Sequence, residues 1–93
     1  MNFLETPEGG LIASGLIVNV VPRDDSSVEC FDRNGQSLLL IGAYGYERQV
    51  LTLSIIKQWV REGKRAKQPD WRYLTDDDIF DKMMAKFTEP KRA

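Results

Sequence analysis

Asn34-Gly35 lies between two apolar stretches, residues 28–31 and 38–41, and constrains the fold more tightly than any other dipeptide in this chain. Asn and Gly tolerate positive φ best, so the pair predicts a two-residue type I′ hairpin. That turn opposes Arg33 to Gln36 and Phe31 to Leu38, and it puts Val28 and Cys30 on one face with Leu39 and Ile41. Residues 38–41 read Leu-Leu-Leu-Ile, apolar on both faces, which predicts a central strand or one covered on both sides.

The flanking segments extend this into a fold. Residues 1–10 read as a flexible lead-in closed by Gly9-Gly10, and residues 11–21 as an Ile/Val/Leu-rich strand bent at Gly15. Residues 22–27 form a polar loop, and residues 42–46 a tight connection. Residues 49–53 suit either a short fourth strand or the start of a helix. A helix then follows, with Thr52 as its N-cap and Leu51 and Ile56 at staple positions. Ile56, Trp59 and Val60 then make a core stripe, Gly63 ends the helix, and residues 64–70 connect.

A second helix follows, capped by Thr75, with Asp76, Asp77 and Asp78 in its first turn, where the helix dipole favours anions. Leu74 and Ile79 form its staple. Ile79, Phe80, Met83, Met84 and Phe87 form its apolar face, and Pro90 stops it. Strands first and helices last predict an α+β fold: a small antiparallel sheet of three to four N-terminal strands against two C-terminal helices. The domain is expected over residues 11–89, with 90–93 a frayed tail.

Charge is divided along the chain. Residues 1–47 hold seven acids and two bases, residues 48–74 seven bases and two acids, and the whole sums to −1. A concentrated field of one sign selects partners of the other. The chain has no histidine and one cysteine. Ser-His and Cys-His pairs are therefore excluded within it, as are an internal disulfide and a zinc site of the usual ligands. The Walker and dinucleotide glycine patterns are absent. The longest apolar stretch, residues 11–21, is about half of what spans a bilayer. These features predict a non-enzymatic cytoplasmic protein with no cofactor, no metal and no membrane contact.

Candidate binding residues fall in two groups. Lys57, Arg61, Lys64 and Arg65 recur at i, i+4, i+7 and i+8, one stripe on a continuous helix, and Lys67, Trp71 and Arg72 follow. Cations interleaved with aromatics suit phosphate neutralisation and base stacking. The bland alternative is a solvated helix face whose stems cover apolar neighbours. Tyr44 and Tyr46 flank Gly45 on the tight connection, where aromatic side chains bury large area at low entropic cost. Asp24-Asp25 is expected to serve its loop, and Cys30 to be a buried inert thiol. The sequence thus predicts a small interaction or regulatory protein that binds another protein, or itself, through a divided-charge surface. The alternative is a nucleic-acid-binding module using residues 57–72.

Overall fold

The computed structural model describes residues 3–62 and 68–88. The architecture is α+β: two small antiparallel sheets, then two helices. Strands β1 (Phe3–Glu5) and β2 (Leu11–Ala13) form one sheet. Strands β3 (Asn19–Pro22), β4 (Ser27–Phe31) and β5 (Ser37–Gly42) form the other, in the order β3-β4-β5. Helix α1 (Tyr46–Glu62), a 3₁₀ turn (Trp71–Leu74) and helix α2 (Asp77–Thr88) complete the described chain.

One turn geometry closes all three hairpins. In each, a residue donates its N–H to the carbonyl four positions on, and its own carbonyl accepts from the N–H three positions on. The pairs are Thr6–Gly10 with Gly9, Arg23–Ser27 with Ser26, and Asp32–Gln36 with Gly35. The fourth residue carries positive φ each time: Gly9 at 91°, Ser26 at 67°, Gly35 at 80°. This is the three-residue hairpin loop with a left-handed fourth residue. Asn34-Gly35 therefore sits in a turn, but Asn34 is not left-handed, and the predicted two-residue loop is one residue short. The Asp32 carboxylate accepts from the N–H groups of Asn34 and Gln36, which favours the longer loop. An irregularity between Cys30 and Phe31 absorbs the extra residue, so Phe31 opposes Ser37 rather than Leu38. Beyond it the predicted register is present, with Cys30 opposite Leu39 and Val28 opposite Ile41.

Other expectations are corrected. The stretch read as a lead-in contains β1, whose Leu4 is fully buried. The single strand over 11–21 is two strands in different sheets, broken by a 3₁₀ turn at Ser14–Leu16. Strand β5 is an edge, not a central strand, and Leu40 is 54% exposed. Of the two alternatives for residues 49–53, the helical one is present. The cap lies further upstream than Thr52: Gly45, at φ 107°, accepts the first helical N–H, from Gln49. Thr52 is mid-helix and buried, its hydroxyl bonded back to the Arg48 carbonyl at 2.8 Å. Val60 is one-third exposed, so the α1 stripe is Leu51, Thr52, Ile55, Ile56 and Trp59. Asp76, not Thr75, caps α2 by accepting from Asp78 and Ile79. The predicted helix end at Gly63, the Pro90 stop and the Phe87 side chain lie outside the described residues.

The core forms where α1 crosses β3 and β4. Val28, Cys30, Leu39 and Ile41 from the sheet meet Leu51, Ile55, Ile56 and Trp59 from α1. Leu4, Ile17, Ala43, Tyr73 and Leu74 close it. Helix α2 packs on α1 and on the second 3₁₀ turn, with Ile79, Phe80, Met83 and Met84 partly buried. Each fully buried Leu or Ile contributes about 1.5–3 kcal/mol. Gln49 bolts α1 to the β3–β4 hairpin: its amide Nε2 donates to the carbonyls of Arg23 at 2.7 Å and Ser27 at 2.9 Å.

Candidate functional site

The connector after α1 is pinned across the free edge of β1. The Gln68 amide donates to the Phe3 carbonyl at 2.7 Å and accepts from the Glu5 N–H at 2.8 Å. One side chain thus supplies the donor and acceptor that a neighbouring strand would. The Trp71 indole N–H adds a bond to the Glu5 carbonyl at 2.6 Å. Asp70 caps the 3₁₀ turn through the Arg72 N–H and holds the Arg72 guanidinium through both carboxylate oxygens. That contact keeps the Asp70 carboxyl below its ordinary range and pushes Arg72 up.

These contacts shape a groove of about 620 Å³. Its lining comes from the β1–β2 turn at residues 5–9, from the end of β5 at residues 40–42, and from the second 3₁₀ turn with the residues leading into it. Three residues singled out from the sequence, Tyr44, Trp71 and Arg72, line it together. Tyr44 is 70% exposed, while Trp71 is half-buried beside Tyr73, ring centroids 6.1 Å apart. The lining carries three carboxylates, Glu5, Glu8 and Asp70, against one guanidinium. Arg72 answers Asp70, while Glu5 and Glu8 have no ion-pair partner among the described residues.

The other candidates lie apart from the groove. Tyr46 is exposed on the first turn of α1. Lys57 and Arg61 are exposed on its second half, without ion-pair partners among the described residues. Lys64, Arg65 and Lys67 lie outside the described residues. Three other arginines are engaged: Arg23 with Glu29, Arg48 with Asp77 and Arg72 with Asp70. Of these pairs, Arg48–Asp77 draws on an acid outside residues 48–74 and so thins the field of that segment below its formal charge; Asp70 is already counted within it. Sequence reasoning missed Glu5, Glu8 and Leu40 as groove residues. No local signal marks them, because the groove exists only where β1, β5 and the connector meet.

The remaining chemistry is structural. Cys30 is buried in β4, and burial pushes its thiol up to about 11, with Glu29 adding to the shift. Asp25 accepts from the Ser27 hydroxyl and N–H, which hold its carboxyl below the ordinary range, and so serves its turn as expected. Among the described residues no group of three or more His, Cys, Asp or Glu side chains converges to hold a metal. Among the same residues no helix is long and apolar enough to cross a membrane. Comparison with known protein families, curated proteins and solved structures finds no match to this chain.

Proposed function

We propose that this chain is a small non-catalytic domain that binds another protein through a divided-charge surface. One half of that surface is the cationic face of α1 around Lys57 and Arg61. The other is the groove lined by Tyr44 and Trp71 and bordered by Glu5 and Glu8. The observation that carries the reading is the convergence of Tyr44, Trp71 and Arg72 on one groove. Aromatic and arginine side chains concentrate binding energy at interfaces. A non-catalytic role is supported by the lack of histidine and by a sole thiol held protonated at neutral pH.

The test begins with a partner co-purified from the native cell and identified by mass. Combined Lys57→Glu, Arg61→Glu and Lys64→Glu should weaken its binding about tenfold or more, with little change in Tm. Equal loss of binding and of stability overturns the reading.

A second reading, nucleic-acid binding through residues 57–72, is favoured by one observation: Lys57 and Arg61 stand exposed one helical turn apart, without ion-pair partners among the described residues. Phosphate contact requires log affinity for short oligonucleotides to fall linearly with log salt, in proportion to the phosphates neutralised. No binding at about 50 mM salt removes it.

A further inference from the structure

Among the described residues, strand β5 is an edge with no strand paired to its outer side. It ends the three-stranded sheet, and its six residues hold neither a charge nor a proline. Natural sheets guard such edges with charge, proline or brevity, because unpaired N–H and C=O groups recruit other strands. The opposite edge is guarded, since β3 has four residues and ends in Pro22. The groove begins at the unguarded one. Leu40, Ile41 and Gly42 all line it. Successive strand residues point to opposite faces, so a cavity that meets all three reaches the strand's backbone at its end. Beside that edge stand the exposed ring of Tyr44 and the carboxylates of Glu5 and Glu8, which have no ion-pair partner among the described residues.

We propose that this groove takes an extended basic segment of another protein, which adds to β5 as a further strand. Its lysines or arginines face Glu5 and Glu8 and the Tyr44 ring, and its alternate apolar side chains lie on Leu40. Main-chain bonds supply affinity and the alternate side chains specificity, while the ring adds a cation–π contact. The inference rests on the protein-binding reading above and names the chemistry of the partner.

The test uses the full chain and a short fluorescein-labelled peptide of alternating Lys and Val, followed by anisotropy and by amide NMR spectra. Saturable binding with shifts at Leu40, Gly42, Tyr44 and the Trp71 indole is expected. A Glu-Val peptide, and a Lys-Val peptide N-methylated at alternate residues, should bind about tenfold more weakly or worse. Glu5→Lys with Glu8→Lys should cost the same, whereas Asp24→Lys with Asp81→Lys, an equal charge change elsewhere, should leave binding within about twofold.

Undiminished binding of the N-methylated peptide overturns the proposal, as do shifts away from the groove or no binding at about 1 mM peptide. Self-association abolished by the Glu5/Glu8 reversal assigns the groove to a second copy and also overturns it, as does an oligonucleotide that shifts the same amides. If the peptide fails while the Lys57/Arg61/Lys64 reversal still releases a natural partner, only this inference falls. If the peptide binds but the partner ignores that reversal, the divided-charge reading falls instead.

Discussion

The Arg48 guanidinium lies 4.4 Å from the centre of the Phe80 ring and so joins α1 to α2. Its Nε donates to the Tyr73 carbonyl at 3.0 Å, and Nη2 reaches the Asp77 carboxylate. One turn on, the Thr52 hydroxyl meets the Tyr73 hydroxyl, so a single helix face fixes the second 3₁₀ turn and α2 together. Arg48 belongs to the cationic count in the sequence and to the scaffold in the structure.

Removing Arg48 should therefore cost far more than removing its carboxylate. The Arg48 side chain is 18% exposed and that of Asp77 is 89% exposed. Arg48→Ala leaves a carbonyl and a ring unpartnered and should destabilise by about 2–3 kcal/mol. Asp77→Ala should cost about 0.5 kcal/mol, as exposed ion pairs do. Urea unfolding of both variants checks the ratio, and similar losses would show that the ion pair, not the ring and carbonyl, holds the helices.

Ser26 is a residue at a glycine position. Its φ of 67° matches Gly9 and Gly35 in the other two hairpins. The left-handed region costs a side chain about 1–2 kcal/mol, partly offset by the greater unfolded freedom of glycine. Ser26→Gly should raise stability by about 0.5 kcal/mol and Tm by a few degrees, read by thermal melts. Ser26→Val, β-branched, should lower it.

Gln49 is 7% exposed and donates one amide to two carbonyls. Gln49→Ala should cost about 2–3 kcal/mol by leaving both unsatisfied. Gln49→Glu should cost more at neutral pH, because a carboxylate would face two acceptors. It should recover part of the loss on acidification, when the acid can donate. Melting across pH 4–7 separates the two variants.

Two buried acids predict an alkaline limb. Burial raises the Cys30 thiol from 9.0 to about 11 and the Tyr73 phenol from 10.0 to about 12. The folded state holds both protons after the unfolded chain has released them. Their stabilisation is complete below the unfolded values. It is lost as pH rises from 9 towards 11 for the thiol and from 10 towards 12 for the phenol. Each loss reaches about 2–3 kcal/mol. Cys30→Ala should flatten the first part of the limb in melts between pH 9 and 10, and an unchanged slope would contradict a buried thiol.

Gln68 makes a local prediction. Its amide protects the Glu5 N–H, so Gln68→Ala should speed exchange of the Glu5 amide while costing about 1 kcal/mol overall. Hydrogen exchange read residue by residue distinguishes this from general loosening.

What the chain alone determined is local. Turn positions follow from which residues tolerate positive φ or accept Asx bonds, and Asn34-Gly35 does mark a hairpin. The pattern Val28, Cys30, Leu39 and Ile41 sets one buried face and hence the β4–β5 register. The Asp76–Asp78 run marks the start of α2, and apolar residues at helical spacing mark the inner faces of both helices. Each is a matter of neighbouring residues and short-range sterics.

Tertiary structure decided the rest. An apolar run such as residues 38–41 reads the same in a central strand as on an edge, because only the partner strands differ. Arg48 and Lys57 look alike as cations until a carbonyl, a carboxylate and a ring from distant segments close around one of them. The groove joins Glu5, Leu40 with Tyr44, and Trp71 from three separate segments. No periodicity encodes such a meeting, since it depends on how the connector crosses β1, and that crossing is set by hydrogen bonds between residues more than sixty positions apart.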